Sequence, residues 1–102
     1  LDAPERLRHT DEILAALATR ERPTVLLGDL NEPPTGPVWA RLAPALTDAA
    51  PDGAPTFPAT SPRHRIDAVL VSPGVMVREV SVLDGPDVLV ASDHLPLVAD
   101  LA

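Results

Sequence analysis

The shortage of aromatic side chains most constrains what this chain can fold into. Its 102 residues include one Trp, one Phe and no Tyr, yet 45% of them are hydrophobic. A core is therefore possible, but it must be built from Leu, Val, Ala and Ile. At this length there is room for one such core, so residues 1–102 are expected to form a single domain.

The charge balance limits the partners that the chain can bind. Fifteen acidic residues against eight arginines give a formal net charge of −7. Binding to DNA or to an anionic membrane needs clustered positive charge, so a DNA-binding module is disfavoured. Phosphoester chemistry stays open, because metal cations can neutralise a carboxylate cluster. The absence of cysteine excludes a disulfide scaffold and a cysteine nucleophile.

Hydrophobic periodicity predicts a helix at 4–19, a strand at 24–27 that is buried on both faces, and a short helix at 37–42. Residues 43–65 contain five prolines and are predicted to be mostly loop, with a turn of helix at 45–49. Further strands are predicted at 66–71, at 75–83 with a bulge near Arg78 and Glu79, and at 97–101; residues 84–87 are predicted to form a turn. This order indicates a mixed α/β fold rather than alternating βαβ units.

Three short polar segments lie at the ends of the predicted strands. In the first, Gly28-Asp29-Leu30-Asn31, the two polar side chains are two residues apart and point to the same side of an extended chain. A carboxylate beside an amide can orient a metal or water and hold a phosphoryl oxygen. The alternative interpretation is that Asp29 and Asn31 cap a helix or fill a turn.

The second segment, Arg65-Ile66-Asp67, places a carboxylate at the head of a strand. Asp is unfavourable inside a strand, so Asp67 is expected either to face water or to have a partner. The alternative to a functional role is a salt bridge from Asp67 to Arg63 or Arg65.

The third segment, Ser92-Asp93-His94, precedes the last predicted strand. Its carboxylate can bind a cation and its imidazole can transfer a proton. A surface turn capped by Ser92 and Asp93 explains the same three residues equally well.

Together, and in this order, the three segments, the last extended to Ser92-Asp93-His94-Leu95-Pro96-Leu97, resemble the endonuclease/exonuclease/phosphatase family. That family includes apurinic endonucleases, deoxyribonucleases, sphingomyelinases and inositol-polyphosphate phosphatases. Ala68 departs from the pattern, since many members have an aromatic residue after the Asp. The resemblance implies an α/β fold in which residues 1–102 form the C-terminal half of a four-layer sandwich, with one mixed, largely antiparallel sheet and flanking helices.

The resemblance also implies catalytic roles for Asp29, Asn31, Asp67 and His94. Asp29 would orient the attacking water and Asn31 would contact the scissile phosphate. His94 would stabilise charge on the phosphate or transfer a proton, and Asp67 would hold it in one tautomer. A carboxylate–imidazole pair of this kind fixes which ring nitrogen is free.

Metal and substrate contacts follow from the same resemblance. Asp93 and Asp29 would serve a metal site, and Asn31 and Arg65 would bind substrate. An oxygen-rich ligand set suits Mg²⁺ or Mn²⁺.

The implied function is that of the C-terminal part of a metal-dependent phosphoesterase, acting on a phosphodiester or phosphomonoester of a nucleic acid, a phospholipid or an inositol phosphate. Members of the family carry an earlier half with an Asn, a metal-binding Glu and a further His, so the isolated chain is expected to be inactive. It is also expected to self-associate or to pair with an N-terminal half. The alternative is a non-catalytic acidic domain that binds a partner through its open sheet face.

Overall fold

A computed structural model describes residues 2–102 of the protein; Leu1, where the predicted domain begins, lies outside the described residues. The helices are α1 (Ala3–Leu17), α2 (Pro37–Leu42) and α3 (Pro86–Ala91). The strands are β1 (Val25–Asp29), β2 (Thr47–Asp48), β3 (Asp67–Val71), β4 (Val77–Val82) and β5 (Leu97–Leu101). No helix in this part of the chain is long and apolar enough to cross a membrane.

The first helix begins where its sequence predicts. The Asp2 side chain caps it, accepting a hydrogen bond from the backbone N–H of Glu5 at 2.9 Å. This contact satisfies one of the amides that have no partner within the first turn. The helix ends at Leu17, two residues before the predicted end, and Ala18 is its C-terminal cap.

An antiparallel sheet with the strand order β1-β3-β2 forms the centre of the molecule. Side chains alternate between its two faces. On one face, Leu26 of β1 and Leu70 of β3 contact the core beneath the helices. On the opposite face, Leu27 pairs with Val69 and Asp29 pairs with Asp67. The sheet therefore places the two carboxylates side by side, away from the helices.

The core between the sheet and the helices is almost entirely aliphatic, as the composition requires. Its buried members are Val38, Trp39, Leu42, Leu46, Ala68 and Leu70, with Leu7, Ile13, Leu14, Leu17, Leu26 and Leu30 packed against them. Trp39 is its sole aromatic contribution. Ala68, the residue that follows Asp67, is buried in this core.

The remaining strands, β4 and β5, form a separate antiparallel pair. The pairing register shifts between Val77 and Glu79, which confirms the predicted bulge in this strand. The mixed α/β class with antiparallel strands and flanking helices is thus confirmed, but the strands are divided between two sheets where one was predicted.

Three local predictions were wrong. The segment predicted as a turn of helix at 45–49 instead contains β2, because Thr47 and Asp48 pair with the edge of β3. Residues 84–87, predicted as a turn, lead directly into α3, which has Pro86 in its first turn. Burial of β1 on both faces was also wrong, because Leu27 is 66% exposed.

The packing of α2 on the sheet predicts how stability depends on one side chain. Leu42 is 1% exposed at the centre of the core. Leu42→Ala should lower the free energy of unfolding by about 2–5 kcal/mol, because it removes buried methyl groups and leaves a cavity. Urea denaturation followed by circular dichroism measures the change. Leu83→Ala removes the same atoms from a side chain that is 45% exposed, and should cost less than half as much. Equal losses in the two variants would contradict this description of the core.

Candidate active site

His94 lies between the two carboxylates that the sheet places side by side. Its Nδ1 atom is 2.7 Å from Oδ2 of Asp67, and its Nε2 atom is 3.7 Å from Oδ2 of Asp29. The predicted proximity of Asp67 and His94 is therefore confirmed. These three residues line one end of an open cleft of about 530 Å³. Its other walls are mainly apolar and are formed by Leu27, Gly28, Ala68, Val69, Ser92, Leu95, Pro96 and Leu97.

The hydrogen bond between Asp67 and His94 fixes the tautomer of the ring. An ionised carboxylate can only accept a hydrogen bond. Nδ1 therefore carries the proton, and its N–H donates a hydrogen bond to Asp67. The neutral ring then presents the lone pair of Nε2 toward Asp29 and the cleft. This is the arrangement that a base or a proton donor needs, since one nitrogen is held and the other is left to react.

The electrostatic surroundings favour the protonated form of His94. Its pKa is raised above the ordinary histidine value of 6.5, chiefly by the hydrogen bond to Asp67. Partial burial opposes the shift, and the negative charges of Asp67, Asp29 and Asp93 reinforce it. An imidazolium in the cleft would offer positive charge to an anionic ligand.

The loop at residues 56–59, between β2 and β3, is hydrogen-bonded to the residues on either side of His94. The backbone N–H of Ala59 donates to the carbonyl of Asp93, and the N–H of Leu95 donates to the carbonyl of Thr56, each at 2.7 Å. The ring of Phe57 contacts the imidazole, with 4.7 Å between the ring centroids. The backbone and the ring plane of His94 are thus both restrained.

Thr56 and Phe57 were not selected by the sequence analysis. The hydroxyl of Thr56 donates to Oδ2 of Asp67 at 2.5 Å. The one available signal was the isolated phenylalanine, the single Phe of a chain with almost no aromatic residues. Nothing in the local pattern indicates that this loop returns to His94, because the contact joins segments far apart in sequence.

Asp29 and Asn31 form a tight turn at the end of β1. Asn31 has a positive φ of 56°, and its backbone N–H donates to Oδ1 of Asp29 at 2.8 Å. This bond occupies Oδ1 and leaves Oδ2 facing His94. The turn interpretation of this pair is therefore correct, and it is compatible with a functional role for the carboxylate.

Asn31 is not among the residues that line the cleft of His94. Together with Asp29 it lines a smaller cleft of about 190 Å³ beside α1. The predicted alignment of the two side chains assumed an extended chain, but the chain leaves β1 at Asp29 and turns. The contact between Asn31 and a scissile phosphate stays a prediction.

Glu32 anchors this turn to the core. Its buried carboxylate accepts a hydrogen bond from the backbone N–H of Val38 at 2.9 Å, at the start of α2. Its carbonyl accepts one from Nε1 of Trp39 at 3.0 Å. The position of Asp29 thus depends on α2 through the residues that follow it.

Arg65 is held away from the cleft. Nη2 lies 2.8 Å from each carboxylate oxygen of Asp48 and also donates to the carbonyl of Ala50. The guanidinium lies over Trp39, 5.1 Å from its ring centroid. The ion pair considered between Asp67 and Arg65 is not formed, since Arg65 pairs with Asp48 instead. Substrate binding by Arg65 would require it to leave these partners.

Asp93 lies beside His94 in sequence but not in the carboxylate cluster. Among residues 2–102, the one group of three or more acidic or histidine side chains close enough to share a metal ion is Asp29, Asp67 and His94. The Asp93 side chain is exposed, and its carbonyl is held by Ala59. The N–H of His94 donates to the hydroxyl of Ser92 at 3.1 Å, as in a capped turn. The metal role of Asp93 stays a prediction.

The cluster of Asp29, Asp67 and His94 could bind a divalent cation through one of its carboxylates. Oδ2 of Asp67 and Nδ1 of His94 are bonded to each other, so they cannot serve as ligands without breaking that bond. Oδ2 of Asp29 lies 3.7 Å from Nε2 of His94, beyond hydrogen-bond distance, so it is not held in this way. Mg²⁺ commonly binds proteins through one or two carboxylates, with water and substrate phosphate completing its shell. Asp29 suits this kind of site.

Comparison with known proteins agrees with the arrangement of these segments. A sequence model of the endonuclease/exonuclease/phosphatase family matches residues 1–94. The chain belongs to this family. The fold and the phosphoesterase-like framework expected from the sequence are those of the family. No curated protein matches the sequence.

Solved structures of this family share the fold. The chain is similar to a functionally unknown conserved protein from Enterococcus faecalis, at 28% identity and a TM-score of 0.86, over 100% of this chain and 46% of that one. It is similar to a mannosyl-6-phosphatase from Bacteroides thetaiotaomicron, at 21% identity and a TM-score of 0.82, over 100% and 47%. It is also similar to an endonuclease/exonuclease/phosphatase from Bacteroides vulgatus, at 23% identity and a TM-score of 0.82, over 95% of this chain and 43% of that one. The chain thus spans slightly less than half the length of these proteins.

The hydrogen bond from His94 to Asp67 predicts a pH effect. Asp67→Asn should lower the pKa of His94, because it removes both the carboxylate acceptor and its charge; histidine ¹H–¹³C NMR titration measures this. Asp11→Asn is the matched control, since Asp11 pairs with Arg41 at the surface and does not act on His94. An unchanged pKa in Asp67→Asn would contradict the assignment.

The same shift predicts how stability depends on pH. Because folding raises the pKa of His94, its protonation stabilises the folded state. That contribution is complete below the unfolded value of 6.5 and is lost as the pH rises through the folded value. The difference in unfolding free energy between wild type and Asp67→Asn should therefore be larger under acidic conditions than at alkaline pH.

Proposed function

We propose that this chain supplies half of a phosphoester-hydrolysing site in which His94 and Asp29 carry the chemistry. The observation that supports this most is the position of His94 between two carboxylates, bonded to Asp67 through Nδ1 and facing Asp29 through Nε2. A purely structural ion pair needs only one carboxylate. The second carboxylate, and the open cleft in front of it, favour a reacting centre.

The roles follow from which atoms are held and which are available. Asp67 keeps the proton on Nδ1, so Nε2 is the atom that can give a proton to a leaving oxygen or take one from water. Oδ2 of Asp29 is the available carboxylate oxygen, and it is placed to orient a water molecule. As an imidazolium, His94 also offsets negative charge on the phosphoryl group.

A divalent cation, Mg²⁺ or Mn²⁺, would supply Lewis acidity at the phosphoryl oxygen and neutralise charge. Asp29 would hold it, and Asp93, the residue before His94, would serve the same site. With a net charge of −7, the chain otherwise repels phosphate, so a cation is the simplest source of attraction. The substrate is a phosphodiester or a phosphomonoester, with nucleic acids, phospholipids and inositol phosphates as the candidate classes.

The site is proposed to be one half of a whole. The chain covers 46% of the Enterococcus faecalis protein, and Asp29 is the carboxylate of its cluster that is proposed to hold the cation. A complete metal site needs further oxygen ligands, which would come from an N-terminal half.

Activity measurements test this proposal. The 102-residue chain should show negligible hydrolysis of bis(p-nitrophenyl) phosphate or p-nitrophenyl phosphate with Mg²⁺ or Mn²⁺. A chimera in which the chain replaces the matching part of the Enterococcus faecalis protein should hydrolyse one of them. In that chimera, Asp29→Asn or His94→Gln should lower turnover by at least about 100-fold, as expected for lost proton transfer.

Asp11→Asn is the control in this experiment, because Asp11 pairs with Arg41 at the surface and does not line the cleft of His94. A folded but inactive chimera would contradict phosphoester hydrolysis. Turnover by the chain alone that disappears in Asp29→Ala would instead show a complete site and overturn the half-site proposal.

The open sheet face supports a second proposal, that the chain associates through it. Leu27 is 66% exposed on the face that carries Asp29. Val98, in the separate β4–β5 strand pair, is 43% exposed. Val69 and Val71 of β3, the partners of Leu27 and Val25 on the same face, are buried. The exposed side chains of Leu27 and Val98 favour binding to a complementary N-terminal half or to a second copy of the chain. They suit the alternative function, a non-catalytic interaction domain, equally well.

Light scattering tests the association. The wild-type chain should form a dimer or larger assembly, and Leu27→Ser combined with Val98→Ser should shift it toward monomer, because the apolar area to be covered is reduced. Val90→Ser, which removes a side chain that is 87% exposed on α3, is the control. A wild-type monomer that binds no apolar dye would contradict the proposal.

A further inference from the structure

A buried threonine hydroxyl is hydrogen-bonded to the pair formed by Asp67 and His94. Thr56 is 1% exposed, and its hydroxyl donates to Oδ2 of Asp67 at 2.5 Å. The same oxygen accepts the proton of Nδ1 of His94 at 2.7 Å. A buried hydroxyl needs an acceptor, and many acceptors would satisfy it. Here the acceptor is the oxygen that the imidazole uses.

The backbone of Thr56 holds the other partner of that pair. Its carbonyl accepts the N–H of Leu95, the residue after His94, at 2.7 Å. Its own N–H donates to the carbonyl of His64 at 3.1 Å, which ties the residue to the opposite side of its loop. Thr56 is therefore bonded to the carboxylate through its side chain and to the histidine segment through its main chain.

We propose that Thr56 is a positioning residue that fixes the orientation of the Asp67 carboxylate and, through it, the tautomer of His94. The terminal torsion of an Asp side chain is broad, so the carboxylate needs a second contact to keep one oxygen toward the ring. The hydroxyl supplies that contact. Two donors on one oxygen also make it less basic, which keeps the shared proton on Nδ1.

This role rests on the proposed function only in so far as a free Nε2 matters for phosphoester chemistry. The orientation itself is a property of the folded chain and can be measured without turnover. Loss of the hydroxyl should release the carboxylate, and the neutral ring should then populate the Nε2–H form as well.

The test compares Thr56→Val, which keeps the shape and removes the hydroxyl, with Thr56→Ser, which keeps the hydroxyl. Long-range ¹H–¹⁵N NMR spectra of the 102-residue chain, recorded at alkaline pH where the imidazole is neutral, report the proton on each ring nitrogen. Wild type and Thr56→Ser should show the Nδ1–H tautomer of His94. Thr56→Val should show a mixture that includes Nε2–H.

A wild-type tautomer in folded Thr56→Val would overturn the proposal and reduce Thr56 to a structural role. Thr56→Cys covers the case in which the valine variant fails to fold, because its weak S–H donor should give an intermediate mixture. If Thr56→Val does not fold, a pure wild-type tautomer in Thr56→Cys would count against the proposal. Failure of the chimera to hydrolyse phosphoesters leaves these spectra unaffected, so the two proposals fail separately.

Discussion

The antiparallel pairing of β1 with β3 is the constraint on which the rest of the molecule depends. Its register puts Leu26 and Leu70 on the face that the helices cover, and Asp29 opposite Asp67 on the other face. A shift of one residue would reverse both assignments, since side chains alternate along a strand. Burial of the aliphatic core therefore also determines that two carboxylates meet at the mouth of a cleft. The site exists at this position because the core can form in only one register.

Much of the fold follows from short-range sequence patterns. The capped first helix, the helix with Pro37 in its first turn, and the bulge near Glu79 have local causes, and all three are present. The failures concern contacts with partners that a local pattern does not show. β2 exists because two residues reach the edge of β3. Leu27 is 66% exposed because nothing within residues 2–102 packs over it.

The candidate site likewise combines contacts that the sequence could predict with contacts that depend on distant partners. Proximity of Asp67 and His94 could be expected because Asp67 begins β3 and His94 shortly precedes β5, in a recognisable order of segments. The partner of Arg65 could not, because nothing in sequence distinguishes Asp48 from the other acidic residues. Thr56 was missed for a related reason. Its loop is rich in proline and has no periodicity, so its return to His94 is a consequence of tertiary structure alone.

The distance along the chain between the members of this site has a consequence for how the protein folds. Asp67 and His94 are 27 residues apart, and Thr56 and Asp67 are 11 apart. Contacts of this kind repay the entropy of closing their loops only after both ends have been placed. The imidazole environment is thus assembled only when the sheet, the loop at 56–59 and the segment before β5 are all in place. A single ring resonance, that of His94, consequently reports the cooperativity of the whole domain.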